Sequence, residues 1–320
     1  MAMIRHLLLG FIGVALFSCS QPEPKVLRIG LNAWPGYEYL ALAHELGYYK
    51  DEGLEVKMIP FQTLADGRRA FEKGQFDVMA GTLMEFYTTR EVDGLNPVIF
   101  MVADFSNGGD MLLARNEITR VADLKGKRLG LEAGSVDVLT AANALASAGL
   151  SFNDVTLVPL PQPSNIAALL EGEIDAAQTY PPFATSALAD PNIVRIFDTS
   201  QTPGNIVDVL FTSSEIVQTR GQDLVKVVNA FNRALNYQKT NPEDAYRRMA
   251  KREGLTTEEF IDALSGLVIV EQAQQATYLQ QGKMLQLLQA THSALTEINV
   301  IAGPPCDQHC FTDVALKSEP

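Results

Sequence analysis

The chain has 320 residues, with 38 acidic side chains against 25 basic ones and a formal net charge of −13. So acidic a surface repels phosphate backbones and anionic bilayers, which argues against nucleic acid as a partner. The length suits two lobes of ordinary size.

Arg5 and His6 precede an unbroken apolar run from Leu7 to Phe17. The run is too short to cross a ~30 Å bilayer core as a helix, but it suits the core of an export signal. It ends in Leu16-Phe17-Ser18-Cys19, an aliphatic residue three before a cysteine and a small one just before it. This resembles a bacterial lipobox, from which Phe17 departs because that position is usually small or short aliphatic. It predicts a signal peptide over 1–18, lipidation at Cys19 and a polar tether over 19–25. No later run is apolar for long enough to span a membrane, so the predicted attachment is through the N-terminal lipid alone.

A pattern then begins that returns about a hundred positions later. Leu27-Arg28-Ile29-Gly30-Leu31-Asn32-Ala33 reappears as Lys127-Arg128-Leu129-Gly130-Leu131-Glu132-Ala133. Gly53-Leu54 before Val56 to Pro60 is echoed by Gly149-Leu150 before Val155 to Pro159, and Gly74-Gln75-Phe76-Asp77 by Gly172-Glu173-Ile174-Asp175. Each copy reads strand, helix, strand, helix, strand, which predicts a mostly parallel sheet covered by helices. Two such units in one chain predict two similar α/β lobes with a small-molecule site in the cleft between them.

From about Gln222 the pattern is helical. Leu224, Val227, Val228, Phe231 and Leu235 stripe one face, Asn241-Pro242-Glu243-Asp244 and Thr257-Glu258-Glu259 read as helix starts, and Leu279 to Leu295 stripe a last long helix. These helices are expected to pack on the first lobe. The predicted organisation is lobe 1 over 26–106 and 205–300, lobe 2 over 107–204, and two crossing segments between them. A tail follows over 301–320. With Cys19 lipidated, Cys306 and Cys310 remain as an even count in an exported chain and are expected to form a disulfide. His309 between them leaves the group short of a closed metal site, so no metal is expected, and no cofactor.

The resemblance to a known family rests on Asn32-Ala33-Trp34-Pro35-Gly36-Tyr37, on Ala43 through Val56, on Lys73-Gly74-Gln75-Phe76-Asp77-Val78, on Asp123 through Gly130 and on Ala167 through Ala176. With the lipobox and the two lobes, these resemble the substrate-binding proteins of bacterial ABC importers, in the group that captures nitrate, sulfonates, taurine and thiamine pyrimidine precursors. The resemblance implies a type II periplasmic-binding-protein fold and a monomer that delivers a small solute to a permease and its ATPase. It is poor at choosing among ligands.

Strand ends facing the cleft would carry the site. The candidates are Trp34, Tyr37, Gln62, Thr82, Asp110, Gly134, Ser135, Tyr180, Asn205 and Asp208. Trp34, the sole tryptophan, sits in a Pro-Gly loop and is read as a flat wall rather than as core. Gly134-Ser135 opens a helix, where backbone amides suit an anion or carbonyl oxygen and Ser135 suits simple capping. The cleft loops hold Asp110, Asp137 and Asp208, with Glu38 adjoining, and no Lys or Arg; Arg68 and Arg69 on the following helix are expected to face solvent. This census favours a solute with an amino group or heteroaromatic ring, such as an aminopyrimidine or a taurine-like zwitterion, over nitrate; a sulfonate stays among the expected solutes. The mature chain shows no nucleophile motif, phosphate loop or metal cluster, so no catalysis is expected. A ligand-sensing surface lipoprotein is the alternative function; a pyrimidine-synthesis type of enzyme on the same fold is a third.

Overall fold

The structure, a computed structural model, describes residues 26–316. The expected signal peptide, Cys19 and the tether lie outside the described residues.

The chain first lays down β1 (Leu27–Leu31), α1 (Glu38–Glu45), α2 (Tyr48–Asp51), β2 (Val56–Pro60), α3 (Leu64–Glu72), β3 (Val78–Thr82), α4 (Leu83–Arg90) and β4 (Pro97–Ser106). It crosses to form β5 (Met111–Arg115), β6 (Arg128–Leu131), α5 (Val136–Ser147), β7 (Thr156–Pro159), α6 (Gln162–Glu171), β8 (Ala176–Thr179), α7 (Phe183–Leu188) and β9 (Ile193–Asp198). It then returns as β10 (Val207–Ser213), α8 (Ser214–Thr240), α9 (Pro242–Glu253), α10 (Thr257–Ser265), β11 (Leu267–Ile269), α11 (Gln272–Leu279) and α12 (Lys283–Glu297).

The strands form two sheets, ordered β11-β4-β10-β3-β1-β2 and β7-β6-β8-β5-β9. In each, the first strand of the unit lies between two parallel partners, β1 between β2 and β3 and β6 between β7 and β8. In each, a strand made after a crossing then runs antiparallel to the third, β10 on β3 and β5 on β8. The two α/β lobes, their two crossings and the packing of the C-terminal helices on lobe 1 are as the repeat predicts.

The repeated residues have a shared physical task. Arg28 donates from Nε and Nη2 to the two carboxylate oxygens of Asp77 at 3.1 and 2.7 Å, while its backbone N–H adds a third bond at 2.8 Å. Arg128 repeats the clasp on Asp175 at 3.1, 3.1 and 2.8 Å. Each clasp ties the start of the first strand to the start of the third with a charged fork. Gly30 and Gly130 follow because a Cβ there would run into Phe76 in lobe 1 and Asn165 in lobe 2.

Lobe 1 buries apolar side chains on both faces of its sheet, one face under α1, α8 and α9 and the other under α4 and α12. Lobe 2 has smaller cores of its own on each face. Three details differ from the sequence reading. Helix α8 starts at Ser214 rather than near Gln222 and kinks at Arg220 (φ −135°, ψ 26°), where the polar segment before the apolar stripe gives no periodic signal. The expected last helix is two, α11 and α12, separated at Gly282 with φ 82°. Strand β11, three residues long, is too short to leave a pattern. Cys306 and Cys310 are joined by a disulfide and lie buried against lobe 1.

The crossings run side by side. The Ser106 and Thr199 hydroxyls share a hydrogen bond of 2.7 Å, and the Asp110 N–H donates to Ser106 Oγ while its carbonyl accepts from the Thr199 N–H, both at 3.0 Å. Asn107 and Gly109 donate backbone N–H groups to the Gly266 carbonyl at 2.8 and 3.1 Å. Gly108, at φ 122°, occupies a backbone region open to glycine and few others.

Candidate ligand-binding cleft

Between the lobes lies a narrow cavity, lined from lobe 1 by Asn32, Trp34, Tyr37, Leu64, Thr82 and Asp208 and from the other side by Asp110, Val136 and Tyr180. It leaves room for the centre of a water-sized sphere over only about 10 Å³, about one water molecule. Strand ends build it. Asn32 and Trp34 follow β1, Tyr180 follows β8, Asp110 precedes β5, and Asp208 in β10 pairs across to Thr82 on one side and Asp104 on the other.

The aromatic walls are held by carboxyl groups. Trp34 Nε1 donates to Asp104 Oδ1 at 3.2 Å, and the Tyr37 hydroxyl donates to Asp208 Oδ1 at 2.5 Å. Trp34 meets Tyr180 of lobe 2 edge to face at 5.9 Å between ring centres. The loop carrying both lobe 1 aromatics needs Gly36, since a Cβ there would collide with the Asp104 carboxylate.

Burial governs the acid chemistry. It pushes Asp104 and Asp110 up to about 7 and Asp208 well above the usual carboxylate range; repulsion from Asp110 adds to the rise of Asp104, from Glu85 to that of Asp110, and from Asp104 and Asp110 to that of Asp208. Asp104 and Asp208, cross-strand neighbours, lie close enough to share a proton. Burial also raises Tyr37 and Tyr180, reinforced by the surrounding carboxylates. Around the cavity Asn32 Oδ1, Asp110 Oδ2 and the Tyr180 hydroxyl are buried with no hydrogen-bond partner among the described residues, and Asp208 Oδ2 has none beyond the proton that Asp208 can share with Asp104. Groups of this kind normally find a partner. The amide oxygen is an acceptor outright, and the two carboxyl groups become pure acceptors once ionised.

The expected site residues divide. Trp34, Tyr37, Thr82, Asp110, Tyr180 and Asp208 come together at the cavity. Thr82 spends its hydroxyl capping α4, accepting from the Met84 N–H at 3.0 Å and donating to Glu85 at 2.6 Å. Ser135 caps α5 and Gly134 precedes it at φ 77°, beside the cavity rather than in its lining. Gln62 is exposed, and Asn205 is exposed on another surface with Leu139 and Thr291; neither reaches the cavity. Trp34 is only 4 % exposed and belongs to the lobe 1 core, so the expectation of a wall that contributes little to stability gives way to wall and core together.

Two charged neighbours also differ from expectation. Asp137 turns inward, accepting from the Glu132 N–H at 2.8 Å and from Gln162 Nε2 at 2.6 Å, and Glu38 turns away to accept from Arg252 Nε. Arg69 is exposed as expected, but Arg68 is half-buried beside Glu72, with Nη2 4.0 Å from where a Gly134 side chain would start. Sequence reasoning missed Asp104, Glu85 and Glu132. Asp104 had a signal, a lone acid inside an otherwise apolar strand.

The NMT1/THI5-like family profile matches residues 34–245. The chain belongs to that family. This NMT1/THI5-like chain is 23 % identical to the putative aliphatic sulfonates-binding protein of Escherichia coli over 79 % of each chain. Among solved structures, the alkanesulfonate-binding protein of Xanthomonas axonopodis pv. citri bound to MOPS is 18 % identical, with a TM-score of 0.74 over 88 % of this chain and 96 % of that one. The desulfurization enzyme DSZB is 17 % identical, with a TM-score of 0.65 over 87 % and 94 %. These likenesses establish the periplasmic-binding-protein-like fold. Solved structures of this shape therefore include both a binding protein and an enzyme.

Proposed function

We propose that this protein captures a small solute bearing a positively charged amine or protonated heteroaromatic ring and delivers it to an ABC importer. The observation that carries this reading is the acceptor-rich cavity. Asn32 Oδ1, and the Asp110 and Asp208 carboxyls once ionised, offer it acceptors, no Lys or Arg lines it among the described residues, and three aromatic rings wall it. A donor-rich cation satisfies those acceptors, and aromatic faces attract it further. A bare oxyanion would meet only like charge. A taurine-like zwitterion is the second reading, favoured by Arg68 at the rim near Gly134.

Binding draws the lobes together about the two crossings, because only the closed form lets the solute touch both sides. Against catalysis by a thiol or an imidazole stands the placement of the cysteines and histidines among the described residues. Cys306 and Cys310 are joined to each other, His44 bonds the Val56 carbonyl, His292 bonds the Gly303 carbonyl and His309 is exposed beside Asp307. We further propose export and anchoring through Cys19; palmitate labelling lost in Cys19→Ser checks this.

The deciding experiment is a thermal-shift and calorimetric screen of residues 20–320 with alkylamines, aminopyrimidines, taurine, alkanesulfonates and nitrate. Amine-bearing compounds should raise the melting temperature by mass action. Stabilisation by alkanesulfonates or nitrate alone would overturn the reading.

A further inference from the structure

Two helices point their N-termini at the cleft from opposite lobes. Leu64 opens α3 in lobe 1, Val136 opens α5 in lobe 2, and both line the cavity. A helix start of this kind, with free amides and the positive end of the helix dipole, attracts an oxyanion. Here both are already taken. The Val136 N–H donates to Glu85 Oε1 of lobe 1 at 2.9 Å, and the Ala65 N–H donates to Glu132 Oε1 of lobe 2 at 2.8 Å. Each glutamate therefore reaches across the cleft to the helix of the other lobe.

Both glutamates are fixed from behind. Glu85 sits in the first turn of α4, where its other oxygen accepts from the Thr82 N–H and hydroxyl at 3.0 and 2.6 Å. Glu132 follows β6 in a turn locked by its N–H on Asp137 Oδ2 at 2.8 Å and by the Ser135 hydroxyl on its carbonyl at 3.1 Å. Neither is more than 5 % exposed. Their carboxylates occupy the places an anionic head group would fill.

We propose that Glu85 and Glu132 are specificity-determining residues that stand in for an anion at the two helix starts, barring oxyanion-headed solutes from the cleft while latching one lobe to the other. The inference goes with the cationic reading and against the taurine-like one; it holds whatever amine or ring cation the cavity takes, so its failure and that of the amine reading are separable.

The test compares wild type, Glu132→Ala, Glu132→Gln and Val136→Pro, using methanesulfonate and sulfate as probes in calorimetry and small-angle scattering for the opening of the lobes. Glu132→Ala frees the Ala65 amide and should bind methanesulfonate at least about tenfold more tightly than wild type, with a larger radius of gyration. Glu132→Gln keeps an acceptor and should hold the wild-type shape. Val136→Pro removes the other interlobe donor at a first-turn position that tolerates proline after an extended Ser135; it should open the lobes and gain no anion affinity, since Glu85 remains. A folded Glu132→Ala that ignores both anions and keeps the wild-type radius overturns the proposal. Should Glu132→Ala fail to fold, an unopened Val136→Pro overturns it.

Discussion

Solute affinity should climb with pH, because a cation can be held by Asp110 and by the Asp104–Asp208 pair only after protons leave. Burial places Asp104 and Asp110 at about 7 against an ordinary 3.8, so ionising either in the unliganded cavity costs roughly 4 kcal/mol more than in water. A bound ammonium group supplies the missing counter-charge and pulls these values down, which makes binding release protons. If one such carboxyl must ionise, affinity should fall about tenfold for each pH unit below about 7, or roughly a hundredfold at about pH 5. The assay is calorimetry with an alkylamine, which stays protonated across this range, in paired buffers of different ionisation enthalpy that count the released protons. The unliganded protein should show the opposite trend. Its acids are raised on folding, so they stabilise most below about pH 4, and that contribution is lost as the pH rises through about 7. Affinity that is flat or falls with pH, with no proton release, would refute the reasoning.

Trp34→Ala should cost about 3 to 5 kcal/mol in urea unfolding as well as weaken amine binding, since the ring is both wall and core; an unchanged melting temperature would contradict the packing described. Asp208→Asn should lower amine affinity about tenfold yet raise the melting point of the unliganded protein above pH 7, because it removes a buried acid repelled by Asp104 and Asp110. Arg28→Ala should destabilise by about 2 kcal/mol through loss of its fork to Asp77, and Arg128→Ala by less, as that copy is more exposed.

The duplicated units were legible because strand, turn and clasp residues recur in register: Arg28 with Asp77 and Arg128 with Asp175 are one local solution used twice. Six cavity residues were legible for a related reason, lying at strand ends where such folds open. Glu85 and Glu132 were not. Glu85 reads as the far half of a capping box with Thr82, which it also is, and its second oxygen crosses a gap that no sequence spacing reveals. Gln62 and Asn205 sit on the right loops, but their positions turn them to solvent, a matter of a residue or two in loops with no periodicity. Trp34 was assigned one role because its Pro-Gly loop hides how closely Tyr180 and Asp104 pack around it.

The paired crossings bear on mechanics. A single linker would leave one lobe free to rock, slew and twist against the other, whereas two connections pinned together by Ser106 and Thr199 leave essentially one rotation. Gly266, at the end of α10, grips the first of these pins through its carbonyl, and its own Cα lies so near Gly109 that a side chain there would press on the backbone. Stiffness of the swing is therefore set partly by a residue in the C-terminal helical segment, well over a hundred positions from the crossing it holds. A substitution at Gly266 would alter how readily the jaws part without replacing any residue that lines the cavity.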